Sequence, residues 1–189
     1  MRVGLLGGSF NPAHSGHAHV AETARVRLGL HRVLWLVSPQ NPLKSARETA
    51  PIADRMASVR RVARGSSAII SDVETRTGLR YTIDTVRLLQ ARFPGVRFVW
   101  LMGSDNLAQV HRWRSWTALM RSLPVAVVAR PGALARSRFT PAARRFAAGR
   151  QSASAASRLP LLPAPAWVYL PAPLNPASST AIRRTLRDA

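Results

Sequence analysis

Short apolar runs alternate with longer segments of helical periodicity along most of the chain. Apolar runs without polar alternation are typical of strands that are buried on both faces of a sheet. The pattern predicts six strands, at 3–6, 32–37, 68–70, 96–102, 125–128 and 167–170. Because helical segments separate most of these strands, we expect an α/β fold with a single doubly wound parallel sheet and helices on both faces.

The predicted helices carry recognisable ends. A first helix is expected over 16–28, where Gly29 suits the C-terminal cap. Pro51 suits the first turn of a later helix, and Thr82 can cap another that carries apolar residues at helical spacing. Ligands of doubly wound folds bind beyond the carboxyl ends of the strands, so the chemistry is expected in the loops that follow them.

The segment 132–165 is the least strand-like part of the chain, rich in Ala, Arg, Ser and Pro. Thr140 and Pro141 can start a short helix that Gly149 stops, and 151–165 has the composition of a mobile surface loop. We expect residues 1–189 to form one domain, with 133–165 as a partly flexible insertion or surface segment within it.

The charge balance is strongly basic, with a formal net charge of +20. Only Lys44 among the 28 basic residues is a lysine, and no acid lies between Asp105 and Asp188. Such a charge favours nucleic-acid binding, but the arginines are scattered and form no block or helical stripe. A solvated basic surface that attracts anionic substrates is therefore the preferred interpretation, with no specific nucleic-acid partner.

Two absences narrow the class of protein further. The chain has no cysteine, which excludes disulfides, thiolate zinc sites and cysteine nucleophiles. It also has no apolar run long enough for a membrane span and no signal-peptide cleavage pattern, so we expect a cytoplasmic protein.

The loop after the first strand is the most informative part of the sequence. Gly7 and Gly8 end the strand and offer backbone N–H groups to an anion, while His14 and His17 lie three apart where a helix begins. These histidines can be structural, can bind a metal, or can donate hydrogen bonds to a polyphosphate. The glycine turn, the helix start and the basic surface favour the polyphosphate.

Residues 7–12 and His14-Ser15-Gly16-His17 resemble the contiguous signature of the HxGH nucleotidyltransferase superfamily. A second match lies near the C-terminus, where Ser178, Thr180, Ile182 and Arg183 resemble the S-x-T-x-I-R motif of the same superfamily. Taken alone, this second stretch favours an ordinary helix cap followed by an exposed arginine, but two motifs in the correct order, about a domain length apart, favour the superfamily.

The resemblance implies a site in two halves. Its catalytic residues would be His14, His17 and Arg183. Its ATP-binding residues would be Gly7, Gly8, Ser9, Phe10, Gly103, Asp105, Ser178 and Thr180, with Asp105 on the ribose hydroxyls. No protein ligands to a metal are expected, since Mg²⁺ would be bound mainly by phosphate oxygens and water.

Three further segments are similar to those that hold the acceptor in the nicotinate-nucleotide adenylyltransferase family. The mononucleotide-binding residues would be Asn41, Lys44, Tyr81, Thr82 and Trp113, with Trp113 stacked on the pyridine ring. Arg130-Pro131-Gly132 after the fifth strand also fits the family.

The implied reaction is adenylyl transfer from ATP to nicotinate mononucleotide, giving deamido-NAD and pyrophosphate in NAD biosynthesis. Other HxGH adenylyl- or cytidylyltransferases, acting on nicotinamide mononucleotide, pantetheine phosphate or a similar acceptor, remain open alternatives. A nucleic-acid-binding protein that reuses the fold is a remote alternative. A homo-oligomeric assembly is also possible.

Overall fold

The computed structural model describes residues 1–39, 49–63, 65, 67–131 and 139–187. The strands in this part of the chain are β1 (Arg2–Gly8), β2 (Arg32–Val37), β3 (Ala68–Ser71), β4 (Arg97–Gly103), β5 (Val125–Val128), β6 (Arg150–Gln151) and β7 (Trp167–Leu170). The α-helices are α1 (Ser15–Leu28), α2 (Ile52–Val62), α3 (Val73–Thr77), α4 (Thr82–Arg92), α5 (Ser104–Leu107), α6 (Trp116–Ser122), α7 (Pro141–Arg145) and α8 (Ser179–Arg187). Short 3₁₀ helices lie at Val110–Arg112, Ala147–Gly149 and Ala153–Leu161.

The strands form one parallel sheet in the order β3-β2-β1-β4-β5-β7-β6. From β1 the chain moves outward to β2 and β3, and it then returns to place β4 on the other side of β1. The boundary between β1 and β4 is therefore the switch point, beyond whose carboxyl ends a doubly wound fold binds its ligand. This confirms the predicted fold class.

Each face of the sheet carries its own apolar core. Leu6, Trp35 and Leu101 belong to the core that α1 helps to cover, whereas Leu5 and Trp100 belong to the opposite core that also holds residues of α4 and α6. Strand residues alternate between the two cores because successive side chains of a strand point to opposite faces. Burial on both faces explains why the strands are apolar throughout.

The structure corrects two predictions. The expectation of a surface loop over 151–165 is wrong for Ala153–Leu161, which is a 3₁₀ helix with Ala156 and Leu159 buried in the core shared with α1. β6 was not predicted, since two residues carry no periodic signal. The single-domain organisation of 1–189, with its surface segment 133–165, stays a prediction.

Helix ends follow local chemistry with one shift. Gly29 caps α1 with a φ of 60°, as predicted, because glycine adopts left-handed backbone without a Cβ penalty. Thr140 caps α7 by accepting the N–H of Ala143. Thr82 is not the cap of its helix, however: it is the first residue of α4 and Tyr81 holds the cap position. Among the described residues, no helix combines the length and apolarity needed to cross a bilayer.

Candidate active site

The two predicted histidines meet at the N-terminus of α1. His14 is the N-cap residue, and its Nδ1 accepts the N–H of Gly16 at 3.1 Å. The Nδ1 of His17 accepts the N–H of His14 at 3.2 Å, and the two ring centroids are 3.9 Å apart. A neutral imidazole that accepts at Nδ1 carries its proton on Nε2. The capping arrangement therefore makes the Nε2–H groups the donors available to a ligand.

The charge state of His14 is set by its surroundings. The residue is 6% exposed, and this burial is the main reason why its pKa falls from 6.5 to about 4, with the positive charge of Arg130 acting in the same direction. The carboxylate of Asp105 acts in the opposite direction. At neutral pH His14 is therefore an uncharged hydrogen-bond donor.

Side chains from other elements hold the loop between β1 and α1 by its carbonyl groups. Three carbonyls of residues 9–12 accept side-chain hydrogen bonds: Ser9 O from Arg55 Nη1 at 2.9 Å, Asn11 O from Arg183 Nη1 at 2.6 Å and Pro12 O from Ser179 Oγ at 2.9 Å. The Ser58 hydroxyl lies 3.4 Å from Phe10 O and donates to Arg55 O at 2.7 Å. Two helices, α2 and α8, thus hold the loop from two sides.

The loop residues that are predicted to contact ATP have different structural surroundings. A Cβ at Gly7 would lie 2.6 Å from the Trp100 ring, so the small residue there makes room for a core side chain. Gly8 is the last residue of β1, and its carbonyl accepts the N–H of Ser38. Phe10 has a φ of 45° and a side chain that is 1% exposed, which leaves its backbone as the part that can reach a ligand.

The C-terminal motif lies beside this loop. Ser178 Oγ accepts the N–H of Ala181 at 3.1 Å at the start of α8, where Thr180 is exposed. The bond from Arg183 to the Asn11 carbonyl joins residues 172 positions apart. The C-terminal motif therefore contacts the loop after β1, and an isolated helix cap followed by an exposed arginine does not describe this stretch.

The carboxyl end of β4 adds an acid and a cation to the same region. Asp105 projects a 55% exposed side chain from α5, and its Oδ1 lies 4.0 Å from Arg130 Nε. Arg130 also donates to the Ala177 carbonyl at 2.9 Å, and a Cβ at Gly16 would collide with its guanidinium. Gly16 is thus small because the arginine occupies that space.

Sequence reasoning gave Arg130 no role and missed Arg55 and Ser58 altogether. A signal for Arg130 was available, since it follows β5 at the edge of the sheet where ligands bind. Arg55 and Ser58 lie inside α2, where polar residues ordinarily indicate a solvated face. Their burial and their contacts with the loop are visible only in three dimensions.

Two of the predicted acceptor residues, Trp113 and Tyr81, pack on the face of the sheet that carries Trp100. Trp113 is half-buried and meets the Trp100 ring edge-on, with centroids 6.2 Å apart. Tyr81 packs against the same core, and the Arg114 guanidinium lies 4.5 Å above its ring. Thr82 follows Tyr81 in the first turn of α4.

The other two predicted acceptor residues have no described position. Asn41 and Lys44 lie outside the described residues. Their proposed contact with the mononucleotide therefore stays a prediction from the resemblance.

A metal centre built from protein side chains is not found in the described part of the chain. Within it, no group of three His, Cys, Asp or Glu side chains is placed to hold an ion. Asp105, at the exposed edge of the site, acts to raise the pKa of His14. That Mg²⁺ would be bound mainly by phosphate oxygens and water stays a prediction from the resemblance.

A switch point lined by a helix N-terminus, two imidazole donors and arginines is suited to hold a polyphosphate. Together with the parallel sheet, this site is typical of nucleotidyltransferases of the α/β class.

Comparison with known proteins agrees with that class. A family model described as Cytidylyltransferase-like matches residues 5–185. A protein of Caulobacter sp. (strain K31) named "Probable nicotinate-nucleotide adenylyltransferase" is 66% identical over 183 residues, which cover 97% of each chain. A protein of the same name from Cereibacter sphaeroides (strain ATCC 17029 / ATH 2.4.9) is 53% identical over 99% of this chain and 97% of its own.

Solved structures share the fold at low sequence identity. Plasmodium falciparum nicotinic acid mononucleotide adenylyltransferase complexed with APC superposes with a TM-score of 0.69 at 14% identity, covering 97% of this chain and 82% of that one. The same enzyme complexed with NaAD gives a TM-score of 0.69 at 15% identity, with 98% and 83% covered. The chain belongs to the cytidylyltransferase-like family and, within it, to the family of nicotinate-nucleotide adenylyltransferases.

Proposed function

We propose that the protein transfers the adenylyl group of ATP to nicotinate mononucleotide, giving deamido-NAD and pyrophosphate. The observation that carries the proposal is the pairing of the His14 and His17 rings at the N-terminus of α1, with Arg183 bonded to the Asn11 carbonyl of the same loop. The names of the relatives at 66% and 53% identity support the choice of acceptor.

In the proposed reaction, an oxygen of the acceptor's 5′-phosphate attacks the α-phosphorus of ATP in line. The bond between the α-phosphorus and the bridging oxygen to the β-phosphorus breaks, and pyrophosphate leaves with the electron pair. The attacking phosphate is already ionised at neutral pH, so no general base is needed. Catalysis then rests on positioning and on stabilisation of the charge that grows on the leaving group.

The proposed roles follow from the geometry of the donors. The Nε2–H groups of His14 and His17 donate to the β- and γ-phosphates, and Arg183 adds a fixed positive charge beside the loop. Because His14 is neutral, it stabilises charge by hydrogen bonding without having to lose a proton. Backbone N–H groups of Gly8 and Ser9 complete the phosphate contacts.

The nucleoside ends are assigned to the flanks of this centre. Asp105, exposed and 4.0 Å from Arg130, accepts from the adenosine ribose hydroxyls in the proposed complex, next to Gly103. Ser178 and Thr180 contribute the first turn of α8 to the ATP side. ATP enters as its Mg²⁺ complex, with the ion held by phosphate oxygens and water.

The acceptor's pyridine ring stacks on Trp113, and an N–H group near Thr82 meets its carboxylate. Tyr81 borders the same pocket, and Asn41 and Lys44 are proposed to contact the mononucleotide. We also retain the sequence-based predictions of a cytoplasmic protein without a specific nucleic-acid partner, in which a homo-oligomer is possible.

The proposal is tested with a panel of acceptors in the presence of ATP and Mg²⁺, with pyrophosphate release as the readout. Nicotinate mononucleotide should give the highest kcat/KM, ahead of nicotinamide mononucleotide and pantetheine phosphate. A clear preference for either of the other acceptors would overturn the assignment of substrate and leave the adenylyltransferase class intact.

A further inference from the structure

The helix α2 contains a buried arginine that the reaction described above does not use. Arg55 is 2% exposed, and burial lowers the pKa of its guanidinium. All its hydrogen bonds in the described part of the chain go to backbone carbonyls. They join Nε to Ala50 O at 2.9 Å, Nη1 to Ser9 O at 2.9 Å, Nη1 to Ser38 O at 2.6 Å and Nη2 to Pro39 O at 2.9 Å.

These carbonyls belong to three separate segments at the carboxyl edge of the sheet. Ser9 follows β1, Ser38 and Pro39 follow β2, and Ala50 precedes α2 itself. The planar guanidinium presents several donors in a fixed arrangement, so one side chain sets the relative positions of all three segments. A lysine has donors at one nitrogen only and cannot span the same set.

Ser58, one turn further along α2, extends the arrangement along the loop after β1. Its hydroxyl lies 3.4 Å from the carbonyl oxygen of Phe10 and accepts the N–H of Ala13 at 3.0 Å. Its proton is donated to the Arg55 carbonyl at 2.7 Å, so Arg55 and Ser58 tie the loop to α2 at the Ser9 carbonyl and at the Ala13 N–H.

Carbonyl orientation matters because the site must bind an anion. A peptide group presents its oxygen on one side and its N–H on the other, and a carbonyl oxygen facing a phosphate would repel it. When the oxygen of Ser9 points to Arg55, the N–H of the same peptide group, which belongs to Phe10, points away from Arg55. The positive φ of Phe10 is part of the same loop conformation.

We propose that Arg55 is a positioning residue for adenylyl transfer: by binding the carbonyl oxygen of Ser9 it turns the N–H of Phe10 in the same peptide group towards the triphosphate, and by binding the carbonyl oxygens of Ser38 and Pro39 it keeps those oxygens away from the triphosphate. This proposal rests on the proposed function for its substrate, and it extends that function to a residue that need not contact ATP.

The test compares three variants with the wild type. Arg55→Met removes the donors and the charge, Arg55→Lys keeps the charge but not the fork, and Arg60→Met is the matched control at an exposed arginine of the same helix. Circular dichroism and thermal melting establish that each variant is folded at the assay temperature. Binding of inorganic tripolyphosphate is measured by calorimetry, and kcat/KM for ATP is measured by pyrophosphate release.

For Arg55→Met we expect the Kd for tripolyphosphate to rise about tenfold and kcat/KM for ATP to fall about 10- to 100-fold, since small displacements of positioning groups have large kinetic effects. Arg55→Lys should lie between this variant and the wild type, and Arg60→Met should match the wild type within about twofold. A folded Arg55→Met protein that binds tripolyphosphate like the wild type would overturn the proposal. If Arg55→Met does not fold, the same measurement is made on Arg55→Lys, and tripolyphosphate binding like that of the wild type would then overturn the proposal.

The two readouts also separate this proposal from the proposed function. Tripolyphosphate binding needs no acceptor. If the wild type is inactive with nicotinate mononucleotide but its tripolyphosphate binding depends on Arg55, only the proposed function is refuted. An active wild type with tripolyphosphate binding that is indifferent to Arg55 would refute only the role of this residue.

Discussion

The loop after β1 and the predicted pyridine pocket are stabilised in different ways. In the loop, the carbonyls of Ser9, Asn11 and Pro12 and both histidine rings are fixed by directional hydrogen bonds. Around Trp113 and Tyr81, the interactions are an edge-on ring contact, a guanidinium above a ring and packing on the core. Hydrogen bonds fix direction more strictly than apolar packing does.

This difference indicates a division of labour. The phosphate half needs donors in exact register with charge that develops during the reaction, so the fold restrains it from α2 and α8. The acceptor half needs a flat apolar surface of the right shape, which aromatic side chains supply. Substitutions in the first half should therefore affect turnover, whereas those in the second should affect acceptor binding.

The largest effect is expected from His17→Ala. Losing one main donor to the developing charge should lower kcat by about 10²-fold or more. Pyrophosphate release at saturating substrates measures it. His31→Ala serves as the control, because that histidine is exposed and lies at the opposite end of α1. Near-normal turnover of His17→Ala would remove the residue from the reaction.

Arg183→Gln is expected to have the next largest effect. It removes both the positive charge and the strong bond to the Asn11 carbonyl, so kcat/KM for ATP should fall about 10- to 100-fold. Arg184→Gln changes the exposed neighbouring arginine and should leave kcat/KM almost unchanged. Equal losses in the two variants would point to general surface charge instead of a specific role for Arg183.

Trp113→Ala tests the acceptor half of the site. Loss of stacking, commonly about 1–3 kcal/mol for a base on an aromatic ring, should raise KM for nicotinate mononucleotide about 5- to 100-fold. KM for ATP should change much less, and Trp113→Phe should retain part of the acceptor affinity. Parallel increases in both KM values would place Trp113 outside the acceptor pocket.

The smallest expected effect concerns stability and pH. The pKa of His14 is about 4 in the folded protein and 6.5 in the unfolded chain. Between these values the unfolded chain binds a proton that the folded protein does not, so stability should fall as the pH is lowered from 6.5 towards 4. Urea unfolding across this range should show a shallower pH dependence for His14→Gln. An unchanged dependence would contradict the lowered pKa.

Sequence patterns predicted much of the framework because the physics behind them is local. Strands buried on both faces must be apolar along their length, and the cap at Gly29 follows from the conformational freedom of glycine. The contact between Arg183 and the loop after β1, at Asn11, could be anticipated only through the resemblance, since nothing local links residues so far apart.

The parts that were missed depend on tertiary contacts. Arg55 lies in a helical pattern where an arginine ordinarily faces water, yet the backbone of three segments surrounds it. The 3₁₀ helix Ala153–Leu161 has a proline at position 160 and is otherwise mostly Ala and Ser with one Arg, so its composition resembles a loop. One-residue shifts such as that at Thr82 are within the ordinary uncertainty of helix ends.

The central claim is that a triphosphate is held between the two histidines and Arg183, with the acceptor on the far side towards Trp113. A crystal structure with a non-hydrolysable ATP analogue and nicotinate mononucleotide tests it most directly. The account predicts phosphate oxygens within about 3.2 Å of Nε2 of both His14 and His17, and the pyridine ring stacked on Trp113. A triphosphate bound elsewhere, with both imidazoles turned into the protein, would contradict it.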